Sequence, residues 1–311
     1  MKQTKDPGLG TMFNKSVKRM LNEDGGFNIK RIGTVSTFRD FYKYLIDLPT
    51  FKFVGFIFLF FIGMNLIFAL GYVAIGVDQL SGIPKKQPAL LSAFYFSAQT
   101  FTTVGYGAIS PKGNGASLLA SFEAFFGLIS FSIATGLIYG RFSRPSAKIA
   151  FSHNVIITPH ENKRAMMFKM VNKRNSILLN CKVNITLSIA HRDRNDGHMV
   201  RQYYNIPLEV DFVRYFPLTW TLVHIIDEQS PLHNLDIEQL QSRTSELLIL
   251  VEAFDETYSQ MVLQKHSYAD HQWAENVKFK RNFHANESGQ IVLNIHELSE
   301  LEALETAYSE N

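Results

Sequence analysis

Cysteine is nearly absent from this 311-residue chain. The single Cys181 excludes an internal disulfide and any zinc site built from cysteines, and it reads as a small apolar residue inside a strand. Residues 1–30 lack the apolar segment of a signal peptide, being polar and glycine-containing. Charge of one sign is also scarce: 31 basic against 28 acidic residues leave a formal +3. No run interleaves aromatic and basic side chains, so nucleic acid is not an indicated partner. The ten histidines have no metal-ligand spacing. His191 and His198 flank an expected hairpin, and His266 and His271 stand five apart. Surface positions are expected for most histidines, with one at a subunit contact able to sense pH. No Ser-His-Asp set or carboxylate pair can be assigned, so no catalytic site and no enzyme activity is expected, and no internal repeat is visible.

What the chain does have is long uncharged stretches. Its hydropathy is close to neutral only as an average of an apolar first half and a polar second half. Residues 53–76 contain no charge over 24 residues, and at about 1.5 Å per residue they reach roughly 36 Å, enough to span a bilayer core with some tilt. Residues 116–139 form a second run of equal length whose one carboxylate is Glu123. Between them, residues 90–101 are apolar but too short to span, which suits a re-entrant helix. Before the first run, Phe38, Phe41, Tyr42, Leu45 and Leu48 follow helical spacing, with Arg39, Asp40, Lys43 and Asp47 on the opposite face. Pro49 ends that helix. Such a helix can dock on a soluble core, but directly before a span an interfacial helix is the expectation. Lys15, Lys18, Arg19, Lys30, Arg31, Arg39 and Lys43 precede the first span, and Arg141, Arg144 and Lys148 follow the second. The connecting loop carries only Lys85, Lys86 and Lys112, so the positive-inside rule puts both termini in the cytoplasm.

Thr102-Thr103-Val104-Gly105-Tyr106-Gly107 follow the short apolar segment. Out of context they would read as a strand and turn. In a re-entrant loop they match the selectivity-filter sequence of potassium channels, a recognised signature and not a derivation. Consecutive carbonyls must aim at one axis to replace an ion's water, and Gly105 and Gly107 permit that backbone. Potassium ions are then expected at the oxygens of Thr103, Val104, Gly105 and Tyr106, with the Thr103 hydroxyl adding an oxygen at the inner mouth. The ring of Tyr106 is expected to wedge the loop against surrounding helices. No other cofactor is expected.

After Pro145 the texture becomes that of a β-domain. Cys181, Val183, Ile185, Leu187 and Ile189 alternate with Lys182, Asn184, Thr186 and Ser188. Asn195-Asp196-Gly197 supplies turn chemistry, and residues 199–204 can return as a strand. Residues 218–226, 247–251, 277–283 and 291–295 read as further strands, a spacing that favours a β-sandwich. Residues 296–308 suggest a short acidic helix or tail. At the other end, residues 1–26 have no period and are expected to be poorly ordered, and residues 28–33 could form a short strand. The organisation is therefore residues 1–50 as a cytoplasmic segment with an amphipathic slide helix, residues 51–145 as a transmembrane pore domain, and residues 146–311 as a cytoplasmic β-sandwich.

From Asn28 to Leu298 the chain resembles a prokaryotic inward-rectifier potassium (Kir) channel. The resemblance is carried by Asn28-Ile29-Lys30-Arg31-Ile32-Gly33, by Arg144-Pro145-Ser146-Ala147-Lys148-Ile149-Ala150-Phe151-Ser152, by residues 166–174, and by Leu218-Thr219-Trp220-Thr221 onward to Ser230-Pro231-Leu232. It implies a homotetramer in the bacterial inner membrane, with one pore on the four-fold axis and an immunoglobulin-like cytoplasmic domain that extends it. By position, Gly127 matches the inner-helix glycine hinge, Phe131 the cavity position that is acidic in strong rectifiers, and Tyr139 the bulky residue of the bundle crossing. Glu252, Ala253, Phe254 and Asp255 match the cytoplasmic G-loop. The outer-loop cysteine pair of animal members is missing. Gln99 and Ile109 replace the glutamate and arginine that flank the filter there, which leaves open what braces it here.

A carboxylate inside a span costs a few kcal/mol unless it faces protein or water. Glu123 is therefore expected to serve as a hydrogen-bonding group behind the filter ahead of a role as a direct ion site. Phe131 and Tyr139, eight residues apart, share one side of a helix and are read as pore-facing, although plain packing is the default for an apolar helix. Arg39, Lys43, Arg141, Arg144 and Lys148 mark topology and are also candidates for binding an anionic phospholipid or phosphoinositide, each charge worth about 1 kcal/mol at an anionic leaflet. Magnesium or polyamines are possible blockers. A gated potassium channel competes with a membrane-tethered sensor whose β-domain does the work, and with a non-selective cation channel. The filter and re-entrant helix speak against the tether, and the intact Gly105-Tyr106-Gly107 against loss of selectivity.

Overall fold

In the computed structural model, residues 3–13, 19–22, 25–33, 38–143, 147–192 and 198–304 are described. The chain divides into two compact units, residues 33–144 and residues 1–32 together with 145–311. The expected segment 1–50 is thus split, its first part belonging with the β-unit.

The membrane unit holds four helices, α1 (Phe38–Asp47), α2 (Thr50–Ile75), α3 (Ala89–Phe101) and α4 (Asn114–Phe142). Proline and glycine set the boundaries. Pro49 and Pro88 precede α2 and α3, where a missing N–H costs nothing, and Gly76 leaves α2 with φ 113°. Among the described residues, helices α2 and α4 are the two long enough and apolar enough to cross a membrane. Helix α1 docks on both through Leu45 and Ile46, which cluster with Phe53 and Leu137, while Phe41, Tyr42 and Tyr44 stay exposed. Arg141 pins this arrangement. Its Nη1 donates to the carbonyls of Ile46 and Leu48 at 2.7 Å and of Leu45 at 3.1 Å, and its guanidinium lies 4.5 Å over the Phe53 ring. These are carbonyls that α1 leaves unpaired at its C-terminal end.

The β-unit is the expected all-β sandwich. One sheet runs in the order Gln3–Thr4, Met199–Asn205, Leu178–Arg192, Ser245–Asp255 and Gln260–Ala269, all antiparallel. The second has Trp220–Ile226, Lys163–Asn172, Val155–His160 and Trp273–Glu275, the last pair parallel. Val183, Ile185 and Leu187 of the first meet Met166, Phe168, Met170 and Leu222 of the second in one core. The alternation legible in residues 181–189 is this inward face. Cys181 lies on it, and burial pushes its thiol up to about 12.

Several expectations need correction. The described parts of residues 1–26 have order: Gln3–Thr4 and Met12–Phe13 pair with Met199–Asn205. Met20 N and Leu21 N donate to Glu246 at 2.7 and 3.0 Å, and Arg19 Nη2 donates to Ser267 O at 2.8 Å. Glu246 is fully buried beside Arg201 (3.7 Å), so this end of the chain satisfies a carboxylate that the sheet interior could not hold alone. Residues 28–33 form no strand, and Leu21 and Phe27 make one isolated bridge instead. The expected strand 277–283 breaks into Val277–Phe279 and Phe283–Ala285, because the buried Asn282 turns its amide to Thr219 Oγ1 and Asn294 O between them. Of the expected short acidic helix or tail at residues 296–308, the described part is a 3-10 turn at Ile295–Glu297 and a strand, Leu301–Ala303, that pairs with Val277–Phe279, and residues 305–308 lie outside the described residues. The turn 195–197 lies outside the described residues. Two histidines are interior. His224 is held between Pro207 O (2.6 Å) and Ser230 Oγ (2.8 Å), and His266 stacks on Phe151 at 4.3 Å, where burial and then the Arg19 charge lower its pKa to about 4.

Candidate functional site

The C-terminal end of α3 hands the chain directly to residues 102–107. Thr102 N and Thr102 Oγ1 both bond Ala98 O, at 3.2 and 2.6 Å. Thr103 N donates to Thr100 O at 3.0 Å, and Val104 N and Gly105 N share Gln99 O at 3.0 and 3.2 Å. The carbonyl end of a helix carries roughly half a negative charge, so α3 favours a cation beside this turn. Beyond it, alternate residues have left-handed backbone: Thr103 (φ 60°), Gly105 (55°) and Gly107 (78°). Alternating handedness is what turns successive carbonyls toward one side. Glycine satisfies two of the three positions, and Thr103 adopts the conformation despite its branched Cβ, a detail that glycine spacing does not reveal.

All six filter residues are exposed in the single subunit, Tyr106 to 77%. A Cβ on Gly105 or Gly107 would touch nothing nearby. The wedge expected of Tyr106 is therefore not made within one subunit.

The support that replaces a glutamate–arginine bridge comes from elsewhere. Between the end of α2 and the start of α4, Leu80–Ser81 pairs with Ser110–Pro111, and Ser81 Oγ lies 3.1 Å from Ser110 O and 2.7 Å from Ser110 Oγ. Gln79 O accepts from Lys112 N at 2.7 Å, and Gln79 Oε1 accepts from Ala116 N at 3.2 Å at the start of α4. Ile109 packs into the apolar cluster of Phe68, Tyr72, Leu80 and Phe96. Behind α3 lies a buried polar chain: Tyr72 Oη donates to Glu123 Oε2 at 2.5 Å, Ser97 Oγ contacts Glu123 Oε1 and is 3.0 Å from Asn65 Oδ1, and Asn65 Nδ2 donates to Phe61 O at 2.7 Å. Glu123 is thus the hydrogen-bonding group that was expected. Its partners Tyr72 and Ser97, and Asn65 beyond Ser97, carry no sequence signal of their own.

Below the filter, Thr102 and Thr103 share a cavity of about 400 Å³ with Gly127, Phe131 and Ala134 of α4 and Phe61 of α2. Phe131 and Tyr139 are 73% and 74% exposed in the single subunit. Gly127 lies within an unbroken helix and is buried, and a Cβ there would sit 2.1 Å from Phe101 O. Its local role is close approach of α4 to the end of α3. Glu252–Asp255 form the end of the strand Ser245–Asp255, with a register shift at Ala253, and the reversal itself is residues 256–259. Asp255 is buried and accepts from Thr257 N at 3.0 Å, so its carboxylate shapes that turn and does not face a lumen in this subunit. Of the basic residues, Lys43 and Lys148 are exposed and belong to different units, Arg141 is engaged with α1, and Arg144 and the Arg39 side chain lie outside the description. Among the described residues no group of three or more His, Cys, Asp or Glu could hold a metal.

The crowding at Gly127 makes a prediction whose sign separates packing from a simple hinge. Stiffening a hinge with alanine would add up to about 1 kcal/mol of helix stability. Overlap with the Phe101 carbonyl instead costs about 1–3 kcal/mol. Gly127→Ala is expected to lower the thermal midpoint of the detergent-solubilised protein and to reduce rubidium uptake into liposomes.

The comparisons agree with this geometry. Residues 149–310 match the inward rectifier potassium channel C-terminal domain, and residues 55–144 match an ion channel family. The chain is 32% identical over 254 residues to the inward rectifier potassium channel Kirbac3.1 of Paramagnetospirillum magnetotacticum, covering 81% of this chain and 84% of that protein. It is 28% identical over 191 residues to the human ATP-sensitive inward rectifier potassium channel 15, covering 59% of this chain and 51% of the relative. For the human ATP-sensitive inward rectifier potassium channel 10 the figures are 29% over 169 residues, 52% and 45%. The chain spans about half the length of these human relatives. With two spanning helices, a re-entrant helix ending in the filter sequence and an all-β domain that follows in the sequence, the chain belongs to the inward-rectifier potassium channel family.

Proposed function

We propose that four copies of the chain form a potassium-selective pore in a bacterial inner membrane with both termini cytoplasmic, and that the carbonyls of Thr103, Val104, Gly105 and Tyr106 and the Thr103 hydroxyl hold the permeating ions. The observation that carries this reading is the alternating left-handed backbone at Thr103, Gly105 and Gly107 on the C-terminal end of α3. The exposure of every filter residue in one subunit supports assembly, since non-helical backbone at membrane depth must be surrounded by protein or water. Residues 1–32 and 145–311 are the cytoplasmic part on this reading, and residues 33–144 the pore part. The inner gate is assigned to Tyr139, whose large exposed rings can constrict and dewet an axis. The G-loop constriction is assigned to the turn that Glu252–Asp255 lead into. Gly105→Ala is expected to leave an assembled protein with little or no potassium-selective rubidium uptake; normal uptake with normal selectivity would defeat the filter assignment.

Anionic lipid is the proposed regulator. Lys43 and Lys148, with Arg39 and Arg144 by sequence position, are its proposed ligands, while Arg141 acts through α1, whose terminal carbonyls it holds. The sign assigned is inhibition. Phosphoinositide added to channel liposomes is expected to reduce flux, less so in Lys43→Gln and Lys148→Gln, and an equal response in all three proteins would place the site elsewhere.

Block by internal magnesium or polyamine is proposed to be weak, because the cavity position beside the filter is Phe131 and not an acid. Four carboxylates about 6 Å from a divalent ion give roughly 5 kcal/mol of attraction even at the dielectric of water. A field of 100 mV supplies only about 2.3 kcal/mol per charge. Patch recordings with internal spermine are expected to show shallow block in the wild type, and deeper, steeper block in Phe131→Asp. Steep wild-type block unchanged by the substitution would contradict the assignment.

A further inference from the structure

We propose that Glu123 is a protonated carboxylic acid that positions the re-entrant helix, and through it the filter. Hydrogen counting leads to this. Ser97 has one hydroxyl hydrogen and lies within hydrogen-bond distance of two oxygens, Asn65 Oδ1 and Glu123 Oε1. The Asn65 amide is fixed by its other end: Nδ2 sits 2.7 Å from Phe61 O, which can only accept, and a flip would set two oxygens against each other. Asn65 therefore presents an acceptor to Ser97, and the Ser97 hydrogen goes there. The contact between Ser97 and Glu123 must then take its hydrogen from the carboxyl. Tyr72 Oη fills the second carboxyl oxygen as a donor.

With one proton on Glu123 the four groups form a single directed chain, Tyr72 to Glu123 to Ser97 to Asn65 to Phe61 O, in which each oxygen–oxygen contact holds one hydrogen. With the carboxylate ionised, one of the two Ser97 contacts becomes oxygen against oxygen with nothing between them. Ser97, Asn65 and Glu123 are all fully buried, so no solvent hydrogen can replace the missing one. Tyr72 is the titratable group bonded to Glu123, and neither it nor Ser97 carries a positive charge that would compensate a buried anion.

The position of the chain gives it a role in selectivity. It begins on α2 at Tyr72, crosses α4 at Glu123 and α3 at Ser97, and returns to α2 at Asn65. Ser97 stands two residues before Gln99, whose carbonyl accepts from Val104 N and Gly105 N. A shift of Ser97 is therefore transmitted to the first turn of the filter. Glu123 is a positioning residue on this account, and its neutral form explains how a carboxyl is held inside a span without a counter-charge.

Glutamine reproduces both halves of a protonated carboxyl, since its amide donates to Ser97 and its carbonyl accepts from Tyr72. The test is made on the full channel in lipid. Infrared difference spectra of wild type minus Glu123→Gln are expected to show the carbonyl stretch of a protonated acid at neutral pH. Flux assays should give Glu123→Gln wild-type selectivity for potassium over sodium, while Ser97→Ala, which breaks the chain with a small apolar residue, loses selectivity as an intact assembly. A carboxylate band without the acid band would overturn the protonation. Loss of selectivity in assembled Glu123→Gln, or unchanged selectivity in Ser97→Ala, would overturn the positioning role.

Discussion

Carbonyl dipoles repel when they point the same way, and a filter needs several of them aimed at one line. On the proposed reading the left-handed residues Thr103, Gly105 and Gly107 turn them there, but alternating handedness allows no helix or sheet ladder within the loop itself. The loop is held only at its ends and by what lies around it. At its start, Val104 N and Gly105 N hang on Gln99 O at the end of α3. At its exit, the ladder between Leu80–Ser81 and Ser110–Pro111, with Gln79, ties the chain to the top of α2 and the start of α4. The buried polar chain of Asn65, Ser97 and Glu123 and the close approach at Gly127 lie beside the first of these anchor points.

That dependence explains the polar residues placed in apolar helices. Asn65, Ser97 and Glu123 would each be costly alone in a bilayer, and together they join three helices at the level of the re-entrant segment. Gly127 lets α4 approach the carbonyl end of α3 at the same level. At the other end of the unit, Arg141 converts the loose carbonyls of α1 into a fixed corner between α1, α2 and α4. The β-unit uses a comparable device, in which the buried pair Arg201 and Glu246 completes its hydrogen bonds with backbone donors from Met20 and Leu21. Polar groups thus fix register in both units while apolar contact supplies most of the burial.

Much of this was legible from local pattern. The uncharged runs became α2 and α4, the short run became α3, and alternation over residues 181–189 became the inward face of a long strand. Residues 102–107 were read as a filter by recognition of their sequence in a re-entrant context, and the family match followed from residues that could be quoted. Readings that needed a partner fared worse. Residues 1–26 have no period, and the order of Gln3–Thr4 and Met12–Phe13 comes from pairing with Met199–Asn205, some two hundred positions away. A strand expected over 277–283 did not reveal that Asn282 would turn inward and interrupt it. That Gly127 stands against the Phe101 carbonyl has no signal in its own helix, because that carbonyl belongs to another one.

By itself the sequence determined the order of spanning and re-entrant segments, the filter, the basic flanks and an all-β second unit. Hydrophobic period, span length and glycine placement are properties of neighbours along the chain. Only the tertiary structure decided which hydroxyl and amide surround Glu123, that Arg141 serves α1, and that Thr103 joins the glycines in left-handed backbone. A polar side chain is satisfied by whichever group packing brings within about 3 Å, and that group has no fixed offset in sequence.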